Sequence, residues 1–167
     1  MKLSEDSHRN ALGAKLKEQK ADSRENMRAV TAECGDGGRS LQLVEGKVKV
    51  LIADDDRFVI EMLDFYLKKE GWDVVTAADG NEVEKMLEKG RYSILLLDVM
   101  MPFQTGFDVL KWLKNTSLMN SMRVVMLTAH DQDSTVRQAF DLGADDFISK
   151  PFNPELVVTR LKRFLPR

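Results

Sequence analysis

Short apolar-rich runs alternate with amphipathic stretches along residues 47–167. Apolar runs at 48–53, 72–77, 94–98, 124–127 and 146–149 have the length of strands and not of helices. Between them, apolar residues recur at spacings of three and four, as on one face of a helix. Val59, Met62, Leu63, Tyr66 and Leu67 predict a helix over 57–70, with Gly71 as its stop. Val83, Met86 and Leu87 predict a second over 81–89, ended by Gly90. Phe107, Leu110 and Leu113 mark a third over 106–114, and a fourth over 133–142 closes at Gly143. Pro154, favoured in a first turn, opens the last, which carries Leu156, Val157, Leu161 and Phe164.

The run Ile94-Leu95-Leu96-Leu97 has no polar break, which suits a strand covered on both faces. Five strands alternating with five helices predict an α/β fold: a doubly wound five-stranded parallel sheet, with right-handed crossovers. Residues 1–46 follow no such pattern. Their charges are dense and balanced, and Leu12, Leu16, Met27 and Val30 are too sparse for a core stripe. This extension is expected to be flexible or partly helical over 7–32, with a glycine-rich linker at 34–40. That linker lacks the Gly-Lys-Ser/Thr ending and the preceding strand of a phosphate loop. The division expected is therefore an extension at 1–46 and a domain at 47–167, with a piece starting near Gly46 able to fold alone.

Composition narrows the function. A hydrophobic share of 43% with 31% charged residues is that of a globular protein. The net charge of −2 suggests no polyelectrolyte partner, and neither a helix-turn-helix nor a basic face is visible, so no direct nucleic-acid contact is expected. Arg160, Lys162, Arg163 and Arg167 read as a solvated helix face. One cysteine, Cys34, excludes an internal disulfide and a multi-cysteine metal site. No apolar run approaches the roughly 20 residues of a membrane span, and the start lacks the apolar core of a signal peptide. A cytoplasmic protein without a membrane partner is expected.

The candidate chemistry lies where the strands end. The first strand runs into Asp54 and Asp55, the third into Asp98, the fourth into Thr128 and the fifth into Lys150. In a parallel sheet these ends share the edge where ligands bind. Three clustered carboxylates repel one another unless a cation joins them, and an all-oxygen set suits Mg²⁺. Lys150 and Thr128 supply donors for phosphoryl oxygens. The set points to phosphoryl transfer onto a carboxylate, with Asp98 as the nucleophile. Asp56 reads as an N-cap. Lys150-Pro151 is expected to be a cis peptide in a tight turn that aims Lys150 at Asp98.

Residues 47–165 resemble the receiver domain (CheY-like) of two-component response regulators. The matching segments are Val50-Leu51-Ile52-Ala53-Asp54-Asp55-Asp56, Leu97-Asp98-Val99-Met100-Met101-Pro102, Leu127-Thr128-Ala129 and the run from Gly143 to Phe152. The resemblance implies a flavodoxin-like strand order 2-1-3-4-5. It implies that Asp98 takes a phosphoryl group from a histidine kinase or phosphotransfer protein in a phosphorelay. Asp54, Asp55 and Asp98 would hold Mg²⁺ with the Met100 backbone carbonyl. Thr128 and Lys150 would grip the phosphoryl oxygens. Phe147 takes the place of the switch aromatic coupled to Thr128, so that the surface around helix 4, strand 5 and helix 5 changes for a partner. On this reading the protein is a signalling switch that catalyses only its own phosphorylation and dephosphorylation. Its output partner is unknown: it acts through protein contacts, through a phosphorylation-dependent homodimer, or through an output domain of a longer chain. The alternatives are an aspartate-nucleophile phosphatase or a flavin-binding domain of similar topology. The first needs an acid where Met100 stands, the second a Ser/Thr/Gly-rich loop where Asp54-Asp55-Asp56 stand.

Overall fold

The computed structural model describes residues 31–32, 41–129 and 132–166. Strands β1 (Lys49–Ala53), β2 (Asp73–Ala77), β3 (Ile94–Asp98), β4 (Arg123–Thr128) and β5 (Asp146–Ser149) form one sheet. Their order is β2-β1-β3-β4-β5 and every neighbouring pair is parallel. The helices are α1 (Arg57–Lys69), α2 (Gly80–Lys89), α3 (Gly106–Lys114), α4 (Asp133–Asp141) and α5 (Pro154–Lys162). The flavodoxin-like architecture is thus as the sequence implies.

Successive strand residues point to opposite faces, and here both faces are apolar. Leu51, Ala53, Leu95, Leu97, Val124 and Met126 pack with α2, α3 and α4 on one side. Val50, Ile52, Ile94, Leu96, Val125 and Leu127 pack with α1 and α5 on the other. This double burial is why the strands read as continuous apolar runs. Asp56 caps α1 by accepting from the Phe58 N–H, as expected. The basic residues of α5 are not only a solvated face: Arg160 pairs with Asp146 at 3.0 Å, and Lys162 with Glu70 at 2.7 Å.

Two features depart from the sequence reading. β4 starts one residue early, at Arg123, whose buried guanidinium pairs with Asp145 at 2.9 Å. A buried ion pair hides a strand residue behind a charge. The second departure concerns the expected start of the folded body at residue 47. Glu45 and Gly46 adopt positive φ (53° and 76°), and Val44 and Lys47 exchange backbone hydrogen bonds around them. This two-residue turn folds the preceding segment back. Leu41 is fully buried in the α1/α5 cluster, the Gln42 N–H donates to Ser121 O, and Ser93 Oγ donates to Gln42 O. Thr31–Ala32 pairs antiparallel with Leu41–Gln42. The helix expected over 7–32, apart from this pair, and the linker at 34–40 lie outside the described residues. The folded body therefore includes residues 41–46. Averaging over 1–46 diluted the local apolar signal of Leu41, Leu43 and Val44.

Leu41→Ala is expected to cost about 2–5 kcal/mol, the range for emptying a buried leucine site. Urea titration followed by far-UV circular dichroism checks this. A cost under about 0.5 kcal/mol, typical of surface positions, would place Leu41 outside the core in solution.

Candidate functional site

The strand register assembles the site. Ala53 lies opposite Leu97, Asp98 opposite Leu127, and Thr128 opposite Ser149. Asp54, Asp98, Thr128 and Lys150 therefore come out together at the carboxyl edge of the sheet. Asp54 and Thr128 are fully buried, Asp98 nearly so, and Asp55 is exposed. One carboxylate oxygen from each of Asp54, Asp55 and Asp98 lies within 4.8 Å of the other two. Lys150 Nζ stands 2.6 Å from Asp54 Oδ2 and 3.2 Å from Asp98 Oδ2. The Lys150 N–H donates to Thr128 O at 2.7 Å, and the Lys150-Pro151 bond is cis, as expected. Asp54 Oδ1 accepts from the Asp56 N–H. Both Asp54 oxygens are thus engaged.

The acids fit a small divalent ion. Mg²⁺ takes oxygens at roughly 2.1 Å in an octahedron, so its ligand oxygens stand roughly 3–4 Å apart. A cluster spanning 4.8 Å closes onto such an ion with small side-chain movements. Without the ion, Lys150 is the neutralising charge. Burial alone would lower its pKa, but the hydrogen bond to Asp54 and the charges of Asp98 and Asp54 outweigh that and raise it.

Asp98 is pushed up to about 6. Burial is the main cause and the Asp54 charge adds to it, while Lys150 and the Met100 backbone N–H oppose it. A carboxyl whose folded pKa exceeds its unfolded value binds its proton more tightly when folded. Its ionisation therefore costs folding stability. For Asp98 that stability is full below about 3.8, is lost as pH rises through about 6, and stays lost above it. The loss is worth up to about 3 kcal/mol. Metal-free protein should accordingly lose stability between pH 4 and 7, and Mg²⁺ should restore part of it at pH 7. Denaturant titrations with and without Mg²⁺ check both; a flat metal-free profile in this window would contradict the assignment.

The loop after Asp98 is tightly constrained. The Gly106 N–H donates to Val99 O, and a Cβ at Gly106 would lie 2.1 Å from the Asp98 carbonyl oxygen. The Gln104 N–H donates to Pro102 O, so Phe103 is the centre of a γ-turn at φ +66°. Such a conformation costs about 1–3 kcal/mol in a side-chain-bearing residue, yet Phe103 is 92% exposed. Sequence reasoning placed Gly106 only as the start of a helix and gave Phe103 no special backbone. Phe147 is buried within the α2/α3/α4 cluster, its backbone opposite Met126.

A sequence model of the response regulator receiver domain matches residues 50–162. The chain belongs to the response regulator receiver family. Over 119 residues it is 39% identical to the alkaline phosphatase synthesis transcriptional regulatory protein PhoP of Bacillus subtilis. That match takes in 71% of this chain and 49% of PhoP, so the chain spans about half the length of that relative. Among solved structures, chemotaxis protein CheY4 of Vibrio cholerae superposes with a TM-score of 0.67 at 34% identity, over 71% of this chain and 99% of CheY4. The BeF3-activated receiver domain of DrrB, a Thermotoga maritima protein, superposes with a TM-score of 0.66 at 31% identity, over 72% of this chain and 99% of that one. The receiver described here is a signalling module of two-component systems. No helix among its described residues is long and apolar enough to cross a membrane.

Proposed function

We propose that Asp98 is the phosphoacceptor of this receiver and that a histidine kinase or phosphotransfer protein is the donor. The observation carrying this is the nearly buried Asp98 carboxylate, 3.2 Å from Lys150 Nζ and clustered with Asp54 and Asp55. An Asp98 carboxylate oxygen attacks the phosphorus, the new O–P bond forms, and the P–N bond to the donor imidazole breaks, with the imidazole taking up a proton. Lys150 and the Thr128 hydroxyl donate to the phosphoryl oxygens. Asp54, Asp55, Asp98 and the Met100 carbonyl would hold Mg²⁺, which would supply charge neutralisation for the transferring group. The residue two beyond Asp98 is Met100 and not an acid, which disfavours phosphatase turnover.

The surface beside the site suits a helical donor. Phe58, Met62 and Phe65 share one face of α1, and Phe58 and Phe65 are exposed. On phosphorylation Thr128 and Phe147 would repack and alter the surface of α4, β5 and α5. The readout would be a partner protein, a homodimer, or a further domain in a longer chain, as the transcriptional role in PhoP's name suggests.

The test is a small phosphodonor with and without Mg²⁺. One base-labile phosphoryl group per chain should form with Mg²⁺ or Mn²⁺ and vanish with a chelator. Asp55→Ala should weaken Mg²⁺ binding more than Asp54→Ala, because both Asp54 oxygens are already engaged by Lys150 and the Asp56 N–H. Undiminished labelling in chelator would exclude the metal-assisted reading.

A further inference from the structure

A strained turn that is not packed needs something else to hold it. Phe103 sits at φ +66° with its ring in solvent, so its own side chain does not fix the γ-turn. The restraint must come from its neighbours. Pro102 on one side has a fixed φ. On the other, Gln104 is wedged against α2: an ideal Cβ on Gly80 would meet Gln104 Cβ at 2.8 Å and Gln104 O at 2.9 Å. Only the missing side chain of Gly80 admits this approach. The Gln104 Nε2 amide then donates to Glu84 Oε1, one helical turn along α2. The amide cannot be turned round, because its carbonyl oxygen would face a carboxylate. That oxygen, Oε1, is instead buried without a hydrogen-bond partner. An unmatched buried acceptor does not favour stability, so the amide is best explained by what its other end holds.

We infer that Gln104 and Glu84 are a positioning pair that braces the phosphoacceptor loop against α2. Met100, two residues past Asp98 and a member of the metal-binding set proposed above, lies in the same short loop. With the brace in place, Pro102, Phe103 and Gln104 hold their turn, and Met100 stays where the metal-binding set requires it. Without it, Phe103 relaxes toward negative φ and the loop carries Met100 away. Helix α2 thereby serves the site without touching it. The inference rests on the Mg²⁺ site proposed above.

The experiment compares Gln104→Ala, Glu84→Ala and Glu84→Gln by calorimetric titration with Mg²⁺, with thermal midpoints recorded for each. Glu84→Ala keeps a good helix former on α2, and Glu84→Gln keeps an acceptor for the Gln104 amide while removing the charge. Both alanine variants should bind Mg²⁺ roughly three- to tenfold more weakly, the range one net hydrogen bond spans. The double alanine variant should be no weaker than either single, and Glu84→Gln should bind as wild type. Alanine variants within twofold of wild type would overturn the inference alone. So would a Glu84→Gln variant as weak as Glu84→Ala, since the charge and not the brace would then be responsible. Wild-type protein that binds no Mg²⁺ would overturn the functional reading and this inference with it.

Discussion

Asp98→Asn is expected to abolish phosphoryl labelling and, in the same protein, to raise metal-free stability at pH 7. An amide is no nucleophile toward phosphorus, so labelling should fall to background. The stability gain has a separate origin. At pH 7 the wild-type Asp98 is ionised in a buried setting that pushes its pKa up to about 6, and it stands in one cluster with Asp54 and Asp55. Asparagine removes that charge at nearly constant volume. The gain should approach the penalty of ionisation, up to about 3 kcal/mol. It should shrink toward pH 4, where the wild-type carboxyl takes up its proton. Labelling with a small phosphodonor, followed by urea titration at pH 4.5 and 7, reads both effects. Full labelling of the variant would remove Asp98 from the acceptor role. An unchanged or lowered stability at pH 7 would show that Lys150 fully compensates the buried charge.

Gly106→Ala carries the second large effect. Its new methyl would sit 2.1 Å from the Asp98 carbonyl oxygen, 3.0 Å from its carbonyl carbon and 3.1 Å from Val99 Cα. All three are backbone atoms of the strand end that carries the acceptor, so no side-chain rotation relieves the clash. Either α3 moves away from β3 or the Asp98 backbone shifts. Overpacking typically costs about 1–3 kcal/mol and occasionally more; contact with fixed backbone should place this variant at or above the upper end. A displaced Asp98 should also lose phosphorylation rate, because about an ångström of misplacement can cost a hundredfold. Denaturation midpoint and phosphorylation rate should fall together. A variant with wild-type values for both would mean that the helix slides at no cost.

The sheet was legible because burial on both faces leaves a direct trace: Ile94 to Leu97 reads as a strand without any partner in view. The strand-end residues were legible for a related reason. A charge after an uninterrupted apolar run has to lie at an edge, and parallel order gathers the edges. The hidden parts depend on contacts distant in sequence. Arg123 reads as a loop residue until Asp145, 22 positions on, neutralises it. Leu41 reads as part of a polar extension until the turn at Glu45-Gly46 returns it to the core. Gly106 is a common helix-start residue until the path of the loop brings Asp98 beneath it. The backbone of Phe103 has no sequence signal, since an aromatic residue ordinarily avoids positive φ.

The returning segment also places Gln42 beside the last helix. Gln42 bonds to Ser121, two residues before β4, and Phe164 lies 5.7 Å from the Arg123 guanidinium at the first residue of β4. Gln42 and Phe164 are therefore neighbours at one rim, while Asp98 occupies the other. The separation is about the length of a six-residue strand, roughly 20 Å. Gln42 and Phe164 thus lie on the side away from an approaching phosphodonor and leave its path open. Two fluorophores, one at residue 43 and one at residue 165, would start close together and report separation only when the rim itself comes apart.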